Sequence, residues 1–213
     1  MGACSMKNRT PQQYVKIIRY CNRHGWKLSS LRVANLWDAD LRVADLRVAN
    51  LRGADLREAD LRDVNLRYAN LRDVNLRDAN LRYADLRDAD LRYANLRDVN
   101  LRDADLREAD LREANLRGAN LRDADLNNVV MCWTSHDLIA ERLRQAAGND
   151  PLKRMTAGYI AMSTDWCWAA LIDNAPRITL LDGTTLLDWT LNTMATWVRD
   201  GDDAPQILKE RAA

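Results

Sequence analysis

From Leu31 to Leu126 a leucine stands at every fifth position without a miss, twenty in all. Two residues before each leucine stands a small side chain, Ala or Val after Ser29. The position just before each leucine is Asp or Asn after Ser30, and the position just after is Arg except at Trp37 and Asn127. An α-helix turns about 100° per residue, so leucines five apart would spiral round it and never form a stripe. A continuous strand fails as well, because an odd spacing sends successive leucines to opposite faces. Within one unit, however, Ala and Leu are two apart, and a short extended segment points both the same way. The pattern therefore predicts extended segments joined by regular corners, closing into a stacked coil with Leu and Ala columns inside. Such an interior is a packed core with no room for a ligand.

The flanks read differently. Thr10-Pro11-Gln12-Gln13 has the form of a helix start, with Thr as N-cap, Pro at the first position and Gln three on. Tyr14, Val15, Ile17, Ile18 and Cys21 follow at helical spacing, and Gly25 ends the run. Trp26 falls in the leucine register and could plug the first coil. Val33, Val43, Val48 and Trp37 make the exterior of the first coil apolar, and the N-terminal helix is expected to fold over it, with contact to a partner protein as the alternative. Val129, Val130 and Met131 fit one more unit. Beyond them, helices are expected from Thr134 or Ser135 to Ala147, from Asp150-Pro151 onward, over Asp165 to Asp173, from Thr184 or Thr185 to Arg199, and from Ala204 to Arg211. A short strand is expected from Arg177 to Leu181. The predicted organisation is a capping segment at 1–28, a coil block at 29–131 and an all-α domain at 132–213.

The stretch Ala34-Asn35-Leu36-Trp37-Asp38 begins a run of A-(D/N)-L-x-x that reaches Ala124-Asp125-Leu126-Asn127-Asn128. This pattern resembles the pentapeptide-repeat family. The resemblance implies a right-handed quadrilateral β-helix, four units per coil and so about five coils, roughly 25 Å long at the usual strand spacing. Some members of that family bind DNA gyrase, mimic duplex DNA and alter quinolone sensitivity.

Charge sharpens the picture. Residues 1–28 carry six basic and no acidic side chains, whereas residues 31–130 carry eighteen Arg against twenty Asp and Glu. Arg columns beside Asp columns read as a solvated ion-pair lattice. Interleaved Asp cancels the field that nucleic-acid binding by the Arg columns would need. The near balance also weakens DNA mimicry, because duplex DNA carries a negative charge about every 1.7 Å.

The candidate chemistry is sparse. The pairs Cys21/His24 and Cys132/His136 have spacings compatible with zinc, but they flank the whole coil block, so no metal site is expected within one chain. Asp200, Asp202 and Asp203 read as a polar linker. No catalytic constellation and no cofactor motif emerges. With no apolar run long enough for a membrane span and no signal peptide at Met1 to Thr10, the free thiols point to the cytoplasm. Tyr68, Tyr83 and Tyr93 occupy outward positions on adjoining faces. They serve an interface or shelter neighbouring Arg stems; with Trp37, Trp189 and Trp197 they form the candidate interaction surface. The expected function is a non-enzymatic scaffold for an unknown protein partner, with homodimerisation through the helical domain, no direct nucleic-acid contact and no cofactor. The alternative is a DNA-mimicking modulator of DNA gyrase.

Overall fold

A computed structural model describes residues 9–25, 28, 30–132, 136–151, 153–154, 184–198 and 204–213. The chain divides into two compact units, Met1–Met131 and Cys132–Ala213.

In the first unit, each Asp or Asn before a leucine pairs in parallel with the residue twenty positions on, from Asn35 with Asp55 to Asp110 with Val130. An offset of twenty in a five-residue repeat places four units in each coil. Every bridge is isolated, because the chain turns a corner before a second residue can join the ladder. The corner is the same each time. The Ala or Val amide donates to the preceding leucine carbonyl, as Ala79 does to Leu76 at 3.0 Å. The residue before it has φ between 52° and 60° at eighteen non-glycine positions. This is the left-handed conformation that a type II turn demands of its third residue.

The sequence satisfies the backbone of each unit almost completely. The leucine amide donates to the next coil, as Leu76 does to Asn95 at 2.8 Å, and the corner amide does likewise, as Asp78 does to Arg97 at 3.1 Å. The Asp or Asn amide donates to the previous coil, as Asn80 does to Ala59 at 2.9 Å. Only the amide after the leucine lacks a backbone acceptor. It donates to the side-chain Oδ1 of the Asp or Asn two residues before it, as Arg77 does to Asn75 at 3.3 Å and Arg87 to Asp85 at 3.3 Å. No leucine from Leu31 to Leu126 is more than 4% exposed. The Ala and Val column is buried too, except at Ala114 and Ala119, which are half-buried. Complete burial of one leucine contributes about 1.5–3 kcal/mol.

Helix α1, Pro11–Arg23, belongs to the same unit and begins with a capping box between Thr10 and Gln13. It buries Tyr14 and Ile18. Its contacts reach the edge of the first coil. Arg19 Nη2 donates to the Asp40 carbonyl at 3.3 Å and to its carboxylate at 2.9 Å. The Asn22 carboxamide donates to the Asp45 carbonyl and accepts from its amide. That amide belongs to the first coil and has no preceding coil to bond. The helix thus serves unpaired backbone groups and does not fold over the apolar corners: Val33 and Val43 are each 76% exposed, and Val48 and Trp37 stay half-exposed. The expected covering of those residues is corrected by the demand of the open coil edge for hydrogen-bond partners. Trp26 lies outside the described residues.

The second unit contains α2, His136–Ala147; α3, Leu186–Ala195; and α4, Gln206–Ala212. Residues 151, 153 and 154 are helical as well. Leu138, Ile139, Leu143, Leu191, Met194 and Leu208 are buried in it. Helix α3 starts where Thr185 accepts from the Asp188 amide at 3.0 Å. It stops four residues before Arg199, at a turn in which the Thr196 hydroxyl donates to the Thr193 carbonyl at 2.6 Å. Arg211 reaches back from α4 to Asp188 and Asn192. The segments expected over Asp165 to Asp173 and Arg177 to Leu181, and the Asp200 to Asp203 cluster, lie outside the described residues.

Candidate interaction surface

The outer surface of the coil block is written by one choice, Asp or Asn, at the position before each leucine. Both supply the Oδ1 that the backbone needs, and they differ in the second oxygen. Where the residue is Asp and an Arg follows the leucine, that Arg folds back and holds the carboxylate with two parallel bonds. Nε donates to Oδ1 and Nη2 to Oδ2 in all eight such units, for Arg42, Arg47, Arg57, Arg62, Arg87, Arg92, Arg107 and Arg112. This planar fork is the arrangement a guanidinium makes with a carboxylate. The Arg hydrogen bond holds the carboxyls of Asp55, Asp60, Asp85, Asp90 and Asp105 below the ordinary carboxylate range, against the opposing effect of partial burial. Asp40, which meets both Arg42 and Arg19, is shifted furthest down.

Where the residue is Asn, the amide nitrogen stands in place of the second oxygen and the Arg goes elsewhere. Arg77, Arg97, Arg102 and Arg122 turn to the adjacent corner Asp at 3.0–3.3 Å, and Arg52 reaches Asp73 on the next coil at 3.0 Å. Arg67 and Arg82 have Tyr in that corner. Their Nη2 atoms donate to the phenol oxygens of Tyr68 and Tyr83 at 3.2 and 2.9 Å. Their guanidinium carbons lie 5.1 and 4.9 Å above the same rings. Arg72 lies 5.1 Å above Tyr93 of the following coil. The three tyrosines shelter Arg groups while remaining 51–54% exposed themselves.

Trp37 stands 48% exposed on the first coil, in the place of an Arg. In the second unit, Trp189 is half-buried with Lys153 5.3 Å above its ring, and Trp197 is half-buried with Arg142 4.2 Å above its ring. Both tryptophans belong to the second unit and the three tyrosines to the first. Sequence reasoning expected the Arg and Asp columns to pair, but missed the fork within each unit and the Oδ1 acceptor for the amide after the leucine. The signal was present, since only Asp and Asn, never Glu, precede the leucines from Leu36 to Leu126.

Among the described residues no group of three metal-binding side chains comes together. His24 packs against Tyr20 with ring centroids 4.4 Å apart. The groove where α1 meets the coil, lined by Arg19, Asp40, Arg42, Val43, Arg62 and Asp63, is crossed by the Arg19–Asp40 and Arg42–Asp40 pairs. Among the described residues no helix is long and apolar enough to cross a membrane.

A family model for pentapeptide repeats, in eight copies, matches residues 29–67, 59–98, 69–107 and 94–131. A pentapeptide repeat protein from the cyanobacterium Cyanothece 51142 is 37% identical over 44% of this chain and 64% of its own, with a TM-score of 0.43, so the chain spans less than two thirds of that protein. Another from Nostoc PCC 7120 is 35% identical over 41% of this chain and 84% of its own, with a TM-score of 0.22. QnrB1, a plasmid-mediated fluoroquinolone resistance protein, is 20% identical over 50% of this chain and 69% of its own, with a TM-score of 0.27. No curated protein matches the chain. With leucines buried at every fifth position, bridges at an offset of twenty and the repeat matched from 29 to 131, the chain belongs to the pentapeptide-repeat family, whose members form right-handed quadrilateral β-helices.

Proposed function

We propose that the protein is a non-enzymatic scaffold, in which a β-helix of about five coils is a rigid spacer and the exterior binds a protein partner. The observation that carries this reading is the contrast between a closed interior and an ordered, varied exterior. The Leu and Ala columns are buried along the coil, while aromatic side chains stand exposed at the corners. Tyr and Arg are the side chains that most often anchor protein interfaces. Tyr68, Tyr83, Tyr93 and Trp37 are assigned to one binding surface. Trp189 and Trp197 are assigned to a second, through which residues 132–213 bind a partner or form a homodimer. Residues 1–28 act as the cap of the first coil. The cytoplasm is the proposed compartment, without cofactor, direct nucleic-acid contact or membrane.

The test is the mass of the full-length chain by sedimentation, together with affinity capture from a cell extract. Self-association lost on Trp189→Ala or Trp197→Ala, or capture lost on Tyr68→Ala, is the expected result. A strictly monomeric chain that captures nothing overturns the scaffold reading.

The alternative, a DNA-mimicking modulator of DNA gyrase, requires an acidic rod. Here eight Asp carboxylates are each held by an Arg of the same unit, which confines their field to short range. Unchanged gyrase supercoiling in the presence of excess protein discards the alternative.

A further inference from the structure

The Asp and Asn choice is not scattered evenly. Asn65, Asn70, Asn75 and Asn80 are consecutive, so one full coil, residues 65–84, has no Asp before any leucine. That coil carries Arg67, Arg72, Arg77 and Arg82 against Asp73 and Asp78 only, four positive charges to two negative. The coils on either side, 45–64 and 85–104, each carry four Arg against five acids. The middle coil is thus a positive girdle between two negative neighbours.

Three of its four arginines are incompletely bonded. Arg67 and Arg82 meet no carboxylate within 4.0 Å, and Arg72 comes only to 3.8 Å from Asp73, which sits closer to Arg52. The Nε atoms of Arg67, Arg72 and Arg82 are shielded from solvent and have no acceptor. A shielded donor with no acceptor is unfavourable, and an incoming acceptor relieves it. These three arginines are also the ones stacked on Tyr68, Tyr93 and Tyr83. They occupy three successive sides of the coil, since the two units that follow Arg82 pair with those of Arg67 and Arg72, Asp85 with Asn65 and Asp90 with Asn70.

Resting on the scaffold reading, the geometry points to this girdle as the docking surface for a carboxylate-rich protein segment, a short run of Asp or Glu side chains. The molecule itself displays the complement. In eight other units the same Arg, at the same corner, takes a carboxylate on both Nε and Nη2. At Arg67 and Arg82 the Arg is kept, the carboxylate before the leucine is replaced by Asn, and a tyrosine is placed beside it. Incoming carboxylates would lift each guanidinium from its phenol ring and restore the fork, leaving the ring to pack against the segment. A short acidic segment can confine itself to one coil. A nucleic-acid strand extends past it into the two negative coils, which lie within a Debye length of about 10 Å.

The test uses the full-length chain and a fluorescein-labelled oligoglutamate peptide, with binding read by fluorescence anisotropy at low and high salt. The double variant N65D/N80D supplies Arg67 and Arg82 with a carboxylate of their own unit, using the residue found before eight other Arg-bearing leucines, so the fold is preserved. The expected result is salt-sensitive binding that weakens at least about tenfold in N65D/N80D. The variant N95D/N100D adds the same two charges on the next coil and is expected to weaken binding far less. Equal weakening by both variants overturns the proposal, because only net charge then matters. Tighter binding of oligothymidylate than of the peptide, lost in N65D/N80D, also overturns it and assigns the girdle to nucleic acid. The two readings fail separately: a partner captured equally well by wild type and N65D/N80D refutes the girdle and leaves the scaffold standing, whereas a monomeric chain that captures nothing refutes the scaffold.

Discussion

The interior and the corners of the same coils obey opposite rules. Inside, one side chain recurs twenty times without substitution, and each copy is at most 4% exposed. At the third turn position, Asp, Glu, Tyr, Val, Gly and Asn all occur, although the backbone there holds the same left-handed φ. Volume decides the interior, because a stacked column has no slack in which a cavity could collapse. At the corner the side chain points outward, so the sequence can vary there at the modest cost of backbone strain. The fold is carried by the first set and the surface chemistry by the second.

The largest effect is expected from Leu76→Ala in the middle of the leucine column. It is expected to lower unfolding free energy by about 2–5 kcal/mol in a denaturant titration. A loss near zero would mean that the interior is not close-packed. Between inside and outside stands the Asp or Asn position. Asp85→Ala removes both the acceptor for the Arg87 amide and the fork, with an expected loss of about 1–3 kcal/mol. Asp85→Asn keeps the backbone acceptor and is expected to lose less than Asp85→Ala, since only the partly buried ion pair is given up. Equal losses would show that the ion pair, not the backbone bond, is the essential part.

At the corner itself the expected sign reverses. Val43 has φ of 58° and is 76% exposed, so its side chain strains the backbone without filling a core. A branched residue there costs about 1–2 kcal/mol. Val43→Asn is therefore expected to raise the melting temperature, with a gain of about 0.5–1 kcal/mol. A drop would mean that the valine is covered in solution. The smallest effect is confined to acid. The carboxyls of Asp55, Asp60, Asp85, Asp90 and Asp105 are held low by their arginines. Their contribution is complete above the unfolded carboxylate value of about 3.9 and is lost as pH falls below it through the lower folded values. Melting temperature should thus be level from neutral pH down to about 4 and decline only beneath it.

The coil was legible because period five defeats both the helix and the continuous strand, and because Ala and Leu two apart must share a side. Four units per coil came only from the family resemblance, since the period fixes a corner but not how many corners close a turn. The Asp and Asn column was legible as a pattern but not as a mechanism. Seeing why Glu is absent requires knowing that the amide two residues on has no other acceptor. The left-handed corners were hidden, because valine stands at three of them and gives no sign of positive φ. The apolar first coil misled for a related reason: Val33 and Val43 stay exposed while α1 spends its Arg19 and Asn22 on the open backbone edge. The tyrosines were visible as outward aromatics. Their pairing with arginines that lack carboxylates became visible only once each Arg could be assigned a partner.

The fold rests on the register in which residues twenty apart stack. Nitroxide labels at Glu58 and Asp98 test it directly, since both occupy the same corner two coils apart and both are exposed. Two strand spacings place their backbones about 10 Å apart, so continuous-wave electron paramagnetic resonance should show strong dipolar broadening. Forty residues of helix would separate them by about 60 Å, and a spectrum without broadening would contradict the coil.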